Sequence, residues 1–230
     1  MAGGMGAAAT DRLAALDAAS ESIRAWSPLL IPGLLQTTPY ALAAIKSRTP
    51  SLPDDEAGLR MHTRMRRSDS FMRRMYGPGD THAWFVLGEA ALTQSVTVPQ
   101  FHAHQLAHLL DVIDQHPRIN VRVLPDDAST AGTIEPFSIH ALKDGPRIGH
   151  LESIVGGWYT TRSEDVTRLY AAFSLVGKRA LEPSETRRVI EECLKECMAS
   201  FGEEPRSSSR RTATPTIACS SPALPPGPSQ

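Results

Sequence analysis

Two carboxylates and one imidazole have the placement that proton-transfer chemistry asks for. Glu89 follows the apolar run Trp84-Phe85-Val86-Leu87-Gly88. Glu152 ends a second apolar segment, and His150 stands two residues before it, on the same face of an extended strand. A carboxylate at a strand end beside a cleft can be raised in pKa by burial and serve as proton donor or acceptor. Glu89, Glu152 and His150 are therefore the catalytic set if the chain is an enzyme. The same carboxylates equally suit buried ion pairs with Arg64 or Arg67, in which case they are structural.

A second group of residues suits binding. At helical spacing Arg60, Arg64, Arg67 and Arg74 fall within about 80° of one another, and Met61, Met65 and Met72 cluster roughly 120° away. Such a ridge could hold a phosphate or carboxylate over an adaptable apolar pocket; the plainer alternative is a solvated basic face above a core stripe. Trp26, Tyr40, Trp84, Trp158 and Tyr159 supply aromatic surface for a small-molecule site. His104 and His108 share a helix face, but no acidic residue stands at the spacing of a known metal motif, so no metal is expected. No cofactor is expected either: there is no nucleotide-binding fingerprint, no Gly-x-Ser-x-Gly and no catalytic-Cys signature, and Gly156-Gly157 lacks the spacing of a phosphate loop. Cys193, Cys197 and Cys219 have neither metal nor redox spacing and read as reduced thiols.

These residues need elements to position them. Residues 11–25 read as an amphipathic helix through Leu13, Leu16 and Ile23, stopped by Pro28. Ile31-Pro32-Gly33 reads as a type II turn with Gly33 at positive φ, and Thr38-Pro39 as the N-cap and first residue of a second helix. After a loop over 47–53, residues 54–76 read as a long helix ended by Gly77-Pro78-Gly79. A strand over 81–87, a helix over 99–115 and a strand over 119–124 follow. Strands over 137–142 and 147–152 then flank a Lys143-Asp144-Gly145-Pro146 turn. Gly156-Gly157 reads as a flexible entry to a helix that a Thr161–Glu164 capping box opens and that runs to Arg179, and a last helix covers 183–199. The fold class is α+β, with a small mixed sheet of about four strands flanked by helices. One domain over 11–200 lies between a flexible N-terminus over 1–10 and a disordered Ser/Pro-rich tail over 201–230.

A chain of 230 residues, 41% hydrophobic, can bury one substantial core. A formal net charge of −1 and a pI near 6.7 give no general pull toward nucleic acid or acidic membranes. Without an apolar run approaching about 18 residues, or a basic segment followed by an apolar one at the N-terminus, the expected place is the cytoplasm, with no membrane partner.

One stretch also carries a resemblance. Trp26, Pro28, Ile31-Pro32-Gly33-Leu34-Leu35-Gln36-Thr37 and Tyr40-Ala41 resemble the opening of the effector domain of WhiJ-like Xre-type helix-turn-helix regulators of actinobacteria. Arg64-Met65-Arg66-Arg67 is similar to that family's Arg-x-x-Arg, with Ser68 where Gln is usual. Val86-Leu87-Gly88-Glu89-Ala90-Ala91-Leu92 resembles its strand ending in Asp-Glu-Ala-Ala-Leu, with Gly88 in place of the acidic residue. Gln105-Leu106, Asn120 to Pro125, Pro136-Phe137 and Glu152 follow in the expected order, and His150 stands where an aromatic or aliphatic residue is more usual.

The resemblance implies a regulatory, antitoxin-like effector domain that binds a small molecule or a small acidic partner protein, and a homodimer is compatible with it. The ligand-binding set is then Trp26, Gln36, Tyr40, Arg64, Arg67 and Trp158. The family's DNA-binding domain has no counterpart in residues 1–10, so direct DNA binding is not expected of this chain. A stand-alone enzyme of specialised metabolism, a cyclase or isomerase, is the alternative.

Overall fold

The first helix stops at Ala19 and Ser20 begins the central strand of a sheet, which is the largest departure from the expected layout. The computed structural model describes residues 5–128, 135–153 and 156–200, with side chains from Arg12 onward. The expected tail over 201–230 lies outside them. The chain runs α1 (Met5–Ala19), β1 (Ser20–Ser27), a 3₁₀ turn (Gly33–Leu35), α2 (Thr38–Arg48), α3 (Asp54–Tyr76), β2 (His82–Gly88), α4 (Ala90–Thr93), α5 (Pro99–Gln115) and β3 (Ile119–Leu124). It continues through β4 (Phe137–Leu142), β5 (Arg147–Ser153), β6 (Gly156–Thr160), α6 (Ser163–Arg179) and α7 (Pro183–Ala199). The class is α+β as expected, but the mixed sheet has six strands instead of about four.

The two added strands have separate causes. Residues 20–25 were expected to prolong the first helix, since Leu13, Leu16 and Ile23 share a helical period. The segment instead alternates Ile23 and Ala25 on one face with Arg24 and Trp26 on the other, and β2 and β4 pair with it on both sides. Sheet pairing overrides local periodicity here. Gly156-Gly157 was expected to be a flexible entry; it is the start of β6, paired antiparallel with β5 through Glu152↔Gly157 and His150↔Tyr159.

The strand order is β3-β2-β1-β4-β5-β6. The pairs β1–β2 and β2–β3 are parallel and joined through helices, whereas β4, β5 and β6 form an antiparallel meander. Alternate residues send two sets of side chains to opposite faces. Ile23, Phe85, Leu87 and Val123 meet Tyr40, Phe71, Leu106 and Ile190 in the main core, while Trp26, Val86, Phe137 and Ile139 meet Val176 of α6 in a second core. Helices thus cover both faces.

Smaller expectations are also corrected. Pro32 has the backbone of a type II turn (φ −57°, ψ 142°), but Gly33 opens the 3₁₀ turn and is not among the glycines at positive φ. Thr37, one residue earlier than expected, holds the N-cap position of α2 without a side-chain cap hydrogen bond. The Thr161–Glu164 capping box does not form: α6 begins after Arg162 without a side-chain cap, and Thr160 Oγ donates to Asp165 instead (3.0 Å). A capping box does open α7, between Glu182 and Glu185.

Candidate functional site

The loop after β1 is pinned by buried polar side chains, and its fixed course leaves a cavity beneath it. The Tyr40 hydroxyl accepts the Ile31 N–H (3.3 Å), and Ser68 Oγ donates to Leu34 O (2.8 Å). Gln105, fully buried, accepts the Thr37 N–H (2.7 Å) and donates to Leu35 O (2.8 Å). Pro28 passes so close to the end of β2 that a Cβ on residue 88 would collide with its carbonyl oxygen. Gly88 is therefore a packing requirement.

The cavity, of about 460 Å³, lies between this loop, the β1–β4–β5 side of the sheet and helices α1 and α3. That volume is within the range, roughly 300–1,000 Å³, of small-molecule sites. Ile23, Ala25, Leu30, Leu34, Phe85 and Phe137 are among its apolar lining residues. Its charged residues are Asp17, Arg48, Arg64, Arg67 and Glu152, with Gln36, Ser138, His140 and His150 adding neutral polar groups.

Three guanidinium groups meet two carboxylates here, and the pairing is definite. Arg67 holds Asp17 through Nε (2.9 Å) and a terminal nitrogen (2.8 Å), with both side chains nearly out of solvent. Burial raises the Asp17 carboxyl above its usual range, opposed by Arg67 and less strongly by Arg74. Arg48 pairs with Glu152 (3.2 Å) in a more open position. Arg64 donates to Gln36 Oε1 (2.9 Å), while Gln36 Nε2 donates to Ile31 O (2.7 Å). Among the described residues Arg64 has no carboxylate in contact. Burial works against its charge, and Glu152 helps to hold it from a distance.

The neutral groups form a chain. Ser20 Oγ donates to Leu16 O (2.6 Å), so it can only accept from His140 Nδ1–H (3.1 Å). His140 Nε2 then accepts from Ser138 Oγ (2.9 Å), which leaves that oxygen to accept from His150 Nδ1–H at 3.5 Å. Burial lowers His140 to about 3 and His150 to about 4, so both imidazoles are neutral at ordinary pH. A Cβ on residue 157 would strike the far side of the His150 ring, so Gly157 makes room for it, and Tyr159 packs on its face (4.6 Å between centroids).

The expected site residues divide. Gln36, Arg64, Arg67, His150 and Glu152 are gathered around one cavity; Trp26 borders it while its side chain packs in the second core. Three residues are elsewhere. Glu89, at the β2 end of the sheet, accepts the Asp126 N–H (3.0 Å) and ties the β2 and β3 ends together. Tyr40 is wholly in the main core and acts on the pocket only through Ile31. Trp158 lies opposite Leu151, so it faces the α6 side of the sheet and is 56% exposed.

The arginine ridge also divides. Arg60 pairs with Glu56 at the surface (2.6 Å), and Arg74 donates to the Asp17 and Ser20 carbonyls. Among the described residues no methionine lines the cavity: Met61 and Met72 pack into cores. The expected ion pairs of Glu89 or Glu152 with Arg64 or Arg67 are replaced by Glu152–Arg48 and Asp17–Arg67.

Asp17, Arg48, Ser138 and His140 went unforeseen. The i, i+2 spacing of Ser138 and His140 on a strand was the available signal, but their facing depends on hairpin register. Among the described residues no group of three or more His, Cys, Asp or Glu side chains has the geometry of a metal site. His104 is exposed, and the nearby His102 is used structurally, its Nε2–H donating to Leu92 O (2.7 Å).

No curated protein matches the chain. The model of one family does match, over residues 10–192, a span that takes in every strand, the loop over the cavity and all the charged groups lining it. The chain therefore belongs to the domain of unknown function DUF5753.

Proposed function

We propose that this chain is a regulatory domain that binds a small molecule in the cavity under the Pro28–Gln36 loop. The observation that carries the reading is the cavity itself, apolar for most of its lining and furnished with a few fixed polar groups, as small-molecule sites are. The resemblance to the effector half of Xre-type regulators supports a regulatory role, and it brings a small acidic protein as the alternative partner. A route for signalling is available too. Arg67 lines the cavity and also holds Asp17 of α1, so a ligand that engages Arg67 acts on the first helix.

The enzyme reading draws on Glu152 and His150, which share the cavity. It is the weaker one. His140 and His150 are poor bases at neutral pH, Glu152 is occupied by Arg48, and Glu89 is on another part of the sheet.

The test is mass spectrometry of small molecules released from protein purified from its own host. A single compound, recovered unchanged after incubation and lost from the cavity-filling variant Ala25→Phe, is the expected result. No compound dependent on Ala25 would overturn the binding role. Conversion of the compound by wild type but not by Glu152→Gln would replace regulation with catalysis.

A further inference from the structure

The charges around the cavity do not balance. Arg67 is neutralised by Asp17 and Arg48 by Glu152, each through contacts of 2.8–3.2 Å. Arg64 is left over. Its stem passes beside Gly33, where even an added Cβ would make only ordinary contact (3.5 Å to Cδ), and one terminal nitrogen is fixed on Gln36, itself fixed on Ile31 O. The guanidinium is thus oriented before any ligand arrives, and its remaining donors have no partner among the described residues. Leaving a partly desolvated cation unpaired is costly, whereas pairing it with a planar anion gives strong, directional hydrogen bonds.

We infer that the cavity takes an apolar molecule with a single negative charge, a carboxylic acid, whose anionic group is received by Arg64. One uncompensated guanidinium matches one monoanion; a dianionic phosphate would leave a charge unpaired among aliphatic walls. The apolar remainder fits against Ile23, Leu30, Leu34 and Phe85, and Ser138 Oγ, whose own proton goes to His140, keeps a lone pair to accept from a hydroxyl on the same molecule. This inference rests on the small-molecule reading above and adds the chemical class and the anion receptor.

Two fluorescent probes of nearly the same shape separate the inference from its premise. 8-Anilinonaphthalene-1-sulfonate carries one anionic group on an aromatic body, and N-phenyl-1-naphthylamine is that body without the charge. Wild type is expected to bind the anionic probe more tightly by roughly tenfold, the scale of one charge-assisted hydrogen bond, with both probes excluded by Ala25→Phe. Arg64→Met should reverse the order, weakening the sulfonate at least tenfold while the neutral probe binds as well or better. Gln36→Met, which frees the guanidinium without removing it, should weaken the sulfonate several-fold.

Equal affinity of the two probes for wild type, or a sulfonate preference that survives Arg64→Met, overturns the anion assignment and leaves the binding reading intact. Failure of both probes to bind in an Ala25-dependent way overturns the binding reading, and the inference with it. The comparison of probes on wild type needs no variant to fold.

Discussion

Arg64 and Gly88 show how single residues set this site. Arg64 is placed by a glutamine that is itself clamped to Ile31 O, so its geometry is inherited from the backbone of the loop. Gly88 acts by absence. The resembling sequences carry an acidic residue there, and in this chain any side chain would meet the Pro28 carbonyl. Because the obstacle is backbone, Gly88→Ala should cost about 1–3 kcal/mol, in the range of overpacked cores, read from the urea unfolding midpoint. Wild-type stability would show that the Pro28 loop moves aside freely.

Among the elements, α1 is tied to the rest by several polar contacts. Arg67 holds the Asp17 carboxylate, Arg74 holds the Asp17 and Ser20 carbonyls, and Arg12 lies over the Tyr159 ring (4.6 Å). Asp17 and Arg67 side chains are only 6% and 11% exposed, so removing one partner strands a buried charge. Arg67→Met should therefore destabilise by about 3–5 kcal/mol, and Asp17→Leu in the same chain should recover most of the loss. Amide exchange in α1 should rise more than in α5. Equal rises in both helices would show that the pair supports the whole fold and is no local tether.

For the whole molecule, the buried imidazoles set the response to acid. His140 and His150 titrate at about 3 and about 4 in the fold, below their ordinary 6.5. The unfolded chain takes up those protons first. The stabilisation is complete above about pH 6.5 and is lost as pH falls through 6.5 toward 4 and 3, of the order of 3 kcal/mol from His150 alone. Asp17, raised by burial, opposes this at the acid end. A lower urea midpoint at about pH 5 than at pH 7.5, with the difference reduced in a His140→Gln, His150→Gln variant, is the expected outcome; His108 and His116, also lowered by burial, keep the rest. A midpoint independent of pH would contradict the burial of both rings.

Helices α3, α5 and α7 and strand β3 were legible with their bounds, because each has a strong period and a Pro or Gly boundary. Arg64, Arg67, His150 and Glu152 were legible as candidates because charged and titratable groups stand out against apolar runs. Strand β1 was not, since Ile23 fits a helical period as well as an alternating one, and only pairing with β2 and β4 decides between them. The Ser138–His140–His150 chain was hidden for a related reason. The turn over 143–146 puts Asp144 at φ 51° and pairs Ser138 with His150; a shift of one residue would send one of the two strands' side chains to the other face. What the sequence determined by itself was therefore the set of elements with strong local patterns and the residue types available for binding. Which guanidinium keeps a free side, and that Glu89 and Trp158 face away from the cavity, depends on register and on contacts between residues far apart in the chain. Only the tertiary structure decided those.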